Sequence, residues 1–111
     1  MRYISTRGAA PALAFDEVLL TGLARDGGLY VPESWPRLST AQIAGLAGKS
    51  YPEVVVEVTF PFVAGTIGRA DYERMVADAY AGFDHAAVAP LVQLDGGTWL
   101  MELFHGPTLL F

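Results

Sequence analysis

The sequence predicts a small α/β domain with short strands, about four helices and a C-terminal hairpin. Of its 111 residues, 52% are hydrophobic and 17% are charged, a composition typical of a folded domain with a core. Apolar residues recur at helical spacing in the middle of the chain, whereas β-prone runs lie near both ends. Glycine and proline clusters separate these segments.

The first third of the chain is predicted to form a strand, a helix and a second strand. Residues 2–5 are β-prone and form the first strand. A helix begins at Phe15, because apolar residues follow at helical spacing and acidic residues occupy its first turn. The glycine pair at 27–28 is expected to end this helix, since glycine adopts the left-handed conformation freely. A strand at 29–31 then ends at Pro32.

Two capping boxes predict where the middle helices begin. Ser39 and Gln42 form the first box and predict a short helix to about residue 47. Ser50 and Glu53 form the second. In a capping box the serine and the third residue of the helix satisfy each other's backbone N–H groups, so the pattern indicates a helix start directly.

The segment after Ser50 is ambiguous, because its apolar residues fit both a strand and one face of a helix. Pro52 favours the helix, since a proline is tolerated in the first turn, where its missing N–H had no intrahelical partner. The run of three valines at 54–56 opposes it, because β-branched residues disfavour helices. We therefore predict a helix from about residue 51 that is kinked or ended near Pro61.

The last third contains the clearest amphipathic helix and a hairpin. The helix lies between Gly68 and Gly82, with its apolar residues on one face. Two β-prone runs follow at 88–94 and 98–104, and the Asp-Gly-Gly sequence at 95–97 is typical of a hairpin turn.

The composition excludes several classes of function. A net charge of −5 with scattered basic residues opposes binding to nucleic acid or to an anionic membrane. The absence of cysteine excludes a disulfide scaffold and thiolate chemistry. Two histidines without cysteine do not make a typical structural zinc site. There is no signal peptide or apolar run of membrane-spanning length, so a cytoplasmic location is expected.

No complete active site is evident from spacing alone. The sequence has no nucleophile elbow, phosphate-binding Walker loop or dinucleotide-binding glycine motif. The carboxylates are dispersed, and no spacing holds two of them together as an acid–base pair. His85 beside Asp84 is expected to be a solvated residue at a helix end, and Lys49 an exposed charge near a helix C-terminus.

Four segments carry a resemblance to a known family. They are, in chain order, Tyr3 to Gly8, Phe15 to Leu23 continued by Asp26 to Pro32, Ser50-Tyr51, and Glu102 to Thr108. In this order and approximate spacing they resemble the N-terminal domain of threonine synthase. The resemblance covers essentially the whole chain, and its last segment is the most specific.

The resemblance implies a fold-type II enzyme dependent on pyridoxal 5'-phosphate, a carbon–oxygen lyase acting on phosphates. Its substrates are O-phospho-L-homoserine and water, and its products are L-threonine and phosphate. The cofactor serves as the electron sink for carbanions of the substrate. Residues 1–101 then form the N-terminal domain, and residues 102–111 begin the cofactor-binding catalytic region. The chain is expected to pack against the rest of the same enzyme, as a monomer or a weak dimer, without nucleic acid or membrane partners.

In the family, the closing motif continues with Phe-Lys-Asp, and its lysine binds the cofactor covalently. The resemblance therefore implies that this lysine follows Phe111 directly, so the chain alone contains no catalytic residue and is expected to be inactive. A chain that ends inside a motif is expected either for an isolated domain or where the next residue is a lysine that carries the cofactor. The end lies directly before the motif's lysine, which favours the second explanation. Lys49 does not match the motif.

The resemblance also implies site residues. Phe111 would flank the cofactor, and four residues would bind substrate: Thr6, Arg7, His105 and Thr108. An arginine fork with hydroxyl donors suits a phosphate. Simpler interpretations stay open: Arg7 as an exposed loop residue, His105 as a structural hydrogen-bonding residue, Thr108 as a helix N-cap, and Phe111 as a residue packed in the core. The turn at 26–28 is expected to be a helix end rather than a ligand contact.

Two other functions stay open. A threonine-synthase-like phospholyase would share the fold and cofactor but release a keto acid. A non-catalytic packing or regulatory module would bind no cofactor at all.

Overall fold

A computed structural model describes residues 1–107. Its strands are Arg2–Ser5 (β1), Leu13–Ala14 (β2), Tyr30–Pro32 (β3), Leu91–Gln93 (β4) and Trp99–Met101 (β5). Its helices are Phe15–Thr21 (α1), Thr40–Ala44 (α2), Tyr51–Val63 (α3) and Arg69–Ala81 (α4). This arrangement confirms the predicted class, a small α/β fold with four helices, short strands and a hairpin.

The N-terminal strand lies at the centre of a three-stranded antiparallel sheet of order β2-β1-β3. Tyr3 of this strand pairs with Leu13 on one side and Pro32 on the other. Its side chain is buried, its ring lies 6.0 Å from that of Phe15, and its hydroxyl donates to the carbonyl oxygen of Phe62 at 2.6 Å. Tyr3 therefore joins the sheet to both α1 and α3.

The ambiguous segment after Ser50 is a helix, which confirms the prediction from its capping box. The Ser50 N–H donates to the Glu53 carboxylate at 2.7 Å, and the Glu53 N–H donates to the Ser50 hydroxyl oxygen at 3.5 Å. The helix continues past Pro61 and ends at Val63. These two reciprocal bonds fix the start of the helix, and Val56 of the valine run is buried.

Helices α3 and α4 pack side by side along a row of aromatic pairs. Ring centroids lie 5.1 Å apart for Tyr51 and Tyr80, and 5.9 Å apart for Phe60 and Tyr72. Arg69, at the start of α4, donates to the carboxylates of Glu57 at 2.5 Å and Glu73 at 2.9 Å. This helix pair has the most extensive contact between any two elements of the described residues.

Two helix ends differ from the predictions. Helix α1 ends at Thr21 rather than at 27–28, because Gly22 already adopts a positive φ of 74° and donates to the carbonyl of Val18. The glycines at 27–28 belong instead to a separate turn. Helix α2 ends at Ala44, where Gly45 closes it, rather than near residue 47. The short strand β2 was not predicted.

The predicted hairpin is present, with strands of three residues each that are shorter than the β-prone runs. Val92 pairs with Leu100, and the carboxylate of Asp95 accepts a hydrogen bond from Gly97 in the turn at 3.0 Å. Every residue of both strands is exposed. The Cα radius of gyration is 16.9 Å, larger than the about 13 Å expected for a compact domain of this length. No helix within residues 1–107 is long and apolar enough to cross a membrane.

Candidate functional site

The first polar cluster, here called the Asp26 cluster, joins the end of β1 to the turn before β3. The Asp26 carboxylate accepts from the Ser5 hydroxyl at 2.8 Å, from the Ala9 N–H at 3.0 Å and from the Gly28 N–H at 2.9 Å. The Ser5 oxygen in turn accepts from the Arg7 N–H at 3.1 Å, and Ser5 is buried. One carboxylate therefore organises both loops.

Two predicted substrate-binding residues, Thr6 and Arg7, lie in this cluster. The Thr6 hydroxyl accepts from the Leu29 N–H at 3.0 Å, which keeps its own hydrogen available as a donor. The Arg7 side chain is exposed, and its Nη1 donates to the backbone carbonyl of Asp26 at 3.0 Å. Within residues 1–107 Arg7 forms no ion pair with a carboxylate.

Glycine is required at both positions of the turn for different reasons. Gly27 has a φ of +81°, and a Cβ there would lie 2.6 Å from Nη1 of Arg7. A Cβ on Gly28 would lie 2.3 Å from the Ser5 hydroxyl oxygen and 3.1 Å from the Arg7 backbone nitrogen. The turn is therefore a surface against which the Arg7 loop packs, and not the helix end that was predicted.

The charge of Asp26 is stabilised where it lies. Its pKa is lowered chiefly by the N–H of Gly28, with further contributions from Ser5 and from the N–H groups of Ala9 and Ala10; partial desolvation opposes them. The Asp26 carboxylate is therefore ionised at neutral pH, and almost all of its hydrogen bonds come from uncharged donors.

The second polar cluster, here called the His105 cluster, joins the segment after α4 to the segment after β5. Nδ1 of His105 lies 3.1 Å from a carboxylate oxygen of Asp84, and Nε2 lies 2.9 Å from a carboxylate oxygen of Glu102. The backbone N–H of Asp84 also donates to the carbonyl of His105 at 3.0 Å. The imidazole therefore lies between two carboxylates from different segments.

The surroundings of His105 favour its protonated form. Its pKa is raised chiefly by the hydrogen bond to Glu102; desolvation opposes this, and the bond to Asp84 and the charges of both carboxylates add to it. Its ring centroid lies 4.8 Å from that of His85 and 4.6 Å from that of Phe104. The predicted solvated role of His85 agrees with its exposure and with its Nδ1, which accepts from the nearby Ala87 N–H at 3.0 Å.

The described residues place the predicted site residues in two separate clusters. Thr6 and Arg7 belong to the Asp26 cluster, whereas His105 belongs to the His105 cluster, and no hydrogen bond within residues 1–107 links the two. The predictions for Thr108 and Phe111 lie outside the described residues.

Sequence reasoning missed the carboxylates that organise both clusters. The spacing of three between Glu102 and His105 was a usable signal for that pair. No local signal links Asp84 to His105 or Ser5 to Asp26, because each pair is separated by 21 residues.

A groove of about 690 Å³ lies apart from both clusters, between residues 36–49 and α3. Lys49 and Arg69 line it together with Glu57, and Lys49 is exposed, as predicted. None of the predicted site residues lines this groove. Within the described range, no set of three histidine or carboxylate side chains is arranged to hold a metal ion.

Comparison with known proteins identifies the family. A family model described as the threonine synthase N terminus matches residues 2–80. The chain belongs to the threonine synthase family. Threonine synthase from Pseudomonas aeruginosa is 58% identical over 111 residues, which make up 100% of this chain and 24% of that protein.

Solved structures and further relatives agree. PLP-bound threonine synthase from Brucella melitensis matches with a TM-score of 0.93 and 56% identity over 96% of this chain and 23% of its own. Threonine synthase-like 2 from Rattus norvegicus is 39% identical over 112 residues, covering 100% of this chain and 23% of that protein. The chain thus spans about a quarter of the length of the relatives it matches.

The described residues contain no lysine at a position that matches the family's cofactor-binding motif. Covalent attachment needs an amine, and Lys49, the single lysine of the sequence, lies in the loop between α2 and α3, far along the chain from the family motif. Both nitrogens of the His105 ring already face carboxylates, so His105 offers no free N–H to a cofactor phosphate.

Proposed function

We propose that this chain is the N-terminal part of an enzyme that converts O-phospho-L-homoserine and water to L-threonine and phosphate. The observation that carries this proposal is the match to PLP-bound threonine synthase from Brucella melitensis, at 56% identity and a TM-score of 0.93. Pyridoxal 5'-phosphate is then the cofactor of the complete enzyme, attached to a lysine outside this chain.

The Asp26 cluster supplies a candidate subsite for the substrate phosphate. Arg7 offers an exposed guanidinium and Thr6 a hydroxyl donor on one loop, which is the donor set that a phosphate dianion requires. The loop is held by Asp26 and by the glycine turn, so these donors are ordered before substrate arrives. We propose that Thr6 and Arg7 bind the substrate phosphate.

The remaining assignments follow from the family. Thr108 would bind substrate and Phe111 would flank the cofactor. Residues 1–101 would form the N-terminal domain, and residues 102–111 would begin the catalytic region. The exposed hairpin and the large radius of gyration support a domain that packs against the rest of the enzyme. The complete enzyme would be a cytoplasmic monomer or weak dimer.

Replacing Arg7 in the full-length enzyme tests the phosphate subsite. Arg7→Ala should raise the KM for O-phospho-L-homoserine about 10- to 150-fold, the equivalent of one lost hydrogen bond between charged groups. Steady-state assay of phosphate release measures this. Arg25→Ala is the matched control, because Arg25 is an exposed arginine of the neighbouring turn, and it should leave the KM unchanged. An unchanged KM in Arg7→Ala would remove Arg7 from the subsite.

A phospholyase is the second candidate, because the relatives of this chain include a protein not named threonine synthase: threonine synthase-like 2 matches the whole of this chain at 39% identity. Product analysis with the full-length enzyme separates the two functions. L-threonine and phosphate in equal amounts support threonine synthase, whereas 2-oxobutyrate and phosphate without threonine support the phospholyase. No phosphate release from this substrate would overturn both.

A further inference from the structure

We propose that His105 is a positioning residue, which binds Glu102 and Asp84 simultaneously and thereby fixes residues 102–107 against the segment that follows α4. The proposal deepens the proposed function, because residues 102–107 carry the family motif that leads toward the reaction centre. It replaces the expectation that His105 contacts substrate.

The geometry requires both ring nitrogens to be donors. Nδ1 faces Asp84 at 3.1 Å and Nε2 faces Glu102 at 2.9 Å, and a carboxylate at neutral pH only accepts. A neutral imidazole has a single N–H, so one nitrogen lone pair would then face a carboxylate oxygen. The arrangement is complete only when His105 is an imidazolium. The Asp84 N–H bond to the His105 carbonyl adds a third link between the segments.

The same geometry opposes a direct contact between His105 and a substrate phosphate. Both N–H donors are already used by carboxylates, and none remains for a phosphate oxygen. The two carboxylates also give the surroundings of the ring a net negative charge, which repels an anion. His105 therefore acts on the reaction through the position of the backbone that it holds.

The proposal includes a dependence on pH. The titratable groups that face the His105 ring are Asp84, Glu102 and His85. Hydrogen bonding to Glu102 raises the pKa of His105, so the imidazolium that bonds both carboxylates is fully formed below the usual histidine pKa of about 6.5, at any pH where the carboxylates are ionised. Its contribution is lost as pH rises through the raised pKa. The link between the two segments therefore weakens on the alkaline side.

The test compares three variants of the full-length enzyme: Glu102→Gln, His105→Gln and the double variant. Glu102→Gln keeps an oxygen acceptor opposite Nε2 but removes its charge. Nitrogen-15 NMR of labelled histidines measures the titration of His105, whose signal is assigned by its loss in His105→Gln. We expect the His105 pKa to fall in Glu102→Gln. Asp95→Asn is the matched control, because it neutralises a carboxylate whose hydrogen bond stays within the hairpin turn.

Kinetics of the same proteins separate positioning from substrate contact. A positioning role predicts that His105→Gln lowers kcat about 10- to 100-fold with little change in KM, since misplaced groups slow the chemical step. It also predicts that the double variant is no slower than His105→Gln alone, because both changes remove one interaction. A large rise in KM with kcat unchanged in His105→Gln would overturn the proposal.

The NMR titration needs no turnover, so it distinguishes failure of this inference from failure of the proposed function. A wild-type enzyme that makes no threonine contradicts the proposed function while the titration still reports on His105. A His105 pKa at or below that of a solvated histidine, and unchanged in Glu102→Gln, contradicts the positioning role whatever the enzyme's product is.

Discussion

The Asp26 and His105 clusters both join segments that are distant in sequence, but one is centred on a carboxylate and the other on an imidazole. Each joins two segments that lie far apart in sequence through one ionisable side chain. Asp26 is an anion that accepts from a hydroxyl and from backbone N–H groups, whereas the His105 ring lies between two carboxylates that raise its pKa and favour its cationic form. The Asp26 cluster therefore relies on the backbone itself, and the His105 cluster relies on paired side-chain charges.

This difference gives the two clusters opposite responses to pH. The pKa of Asp26 is lowered by folding, so its stabilisation is present above the unfolded value of about 3.9 and is lost as pH falls through the lowered pKa. The pKa of His105 is raised, so its stabilisation is lost as pH rises. Both clusters are complete together only between these two transitions.

The largest expected effect comes from filling the space beside Ser5. In Gly28→Ala, the new Cβ would lie 2.3 Å from the hydroxyl oxygen of buried Ser5 and 3.1 Å from the Arg7 backbone nitrogen, so the loop must move. We expect the free energy of unfolding to fall by about 1–3 kcal/mol, the usual cost of overpacking. Urea unfolding of the full-length protein measures this.

Gly96→Ala is the control for that experiment, because a Cβ at Gly96 meets nothing within 4 Å. It should change stability by less than about 0.5 kcal/mol. Equal stability of the two variants would show that the turn at 26–28 tolerates movement and does not hold the Arg7 loop.

A smaller effect is expected from removing the charge at the centre of the same cluster. Asp26→Asn keeps the shape but turns one acceptor into a donor, which then faces the N–H of Ala9 or Gly28. The variant should unfold at lower urea concentration than wild type at pH 7, and the difference should shrink as pH falls below the unfolded value of about 3.9 and through the lowered pKa of Asp26. Urea midpoints across this range measure it.

Asp95→Asn provides the matched control for the charge change. The pKa of Asp95 is also lowered chiefly by a backbone N–H, that of Gly97, but its bonds stay within one hairpin turn. It should lose less stability at pH 7 than Asp26→Asn, because it joins no distant segments. A loss as large as that of Asp26→Asn would mean that local turn geometry, rather than the link between loops, accounts for the effect.

Local signals predicted much of the fold and little of either cluster. The Ser50–Glu53 capping box identified α3 as a helix despite its three valines, because the box is a contact between neighbours in sequence. The end of α1 was misplaced because three glycines follow that helix, and the first of them, Gly22, already permits the left-handed turn. Sequence alone does not rank glycines that are equally permissive.

The polar clusters depend on tertiary contacts, which explains why the sequence alone did not predict the partners of the site residues. Thr6, Arg7 and His105 were singled out by the family motif, but their partners were not. The contact between Asp84 and His105 exists only because the hairpin brings residues 102–105 back to the end of α4. Glu102 is different, since it lies three residues before His105, and this spacing predicts a contact without knowledge of the fold.

The smallest expected effect is at the exposed side of the His105 cluster. The Asp84 side chain is 78% exposed and that of Glu102 is 23% exposed, so solvent and salt screen Asp84 more strongly. Asp84→Asn should therefore lower the His105 pKa less than Glu102→Gln does. At high salt, the His105 pKa of Asp84→Asn should equal that of the wild-type enzyme. The NMR titration used for Glu102→Gln measures both shifts.

Because the Asp84 N–H bond to the His105 carbonyl remains in this variant, the segments stay joined and kcat should change less than twofold. If the His105 pKa fell as far in Asp84→Asn as in Glu102→Gln, Asp84 would hold the ring as strongly as Glu102 does. Both clusters would then depend on a carboxylate that is distant in sequence from its partner.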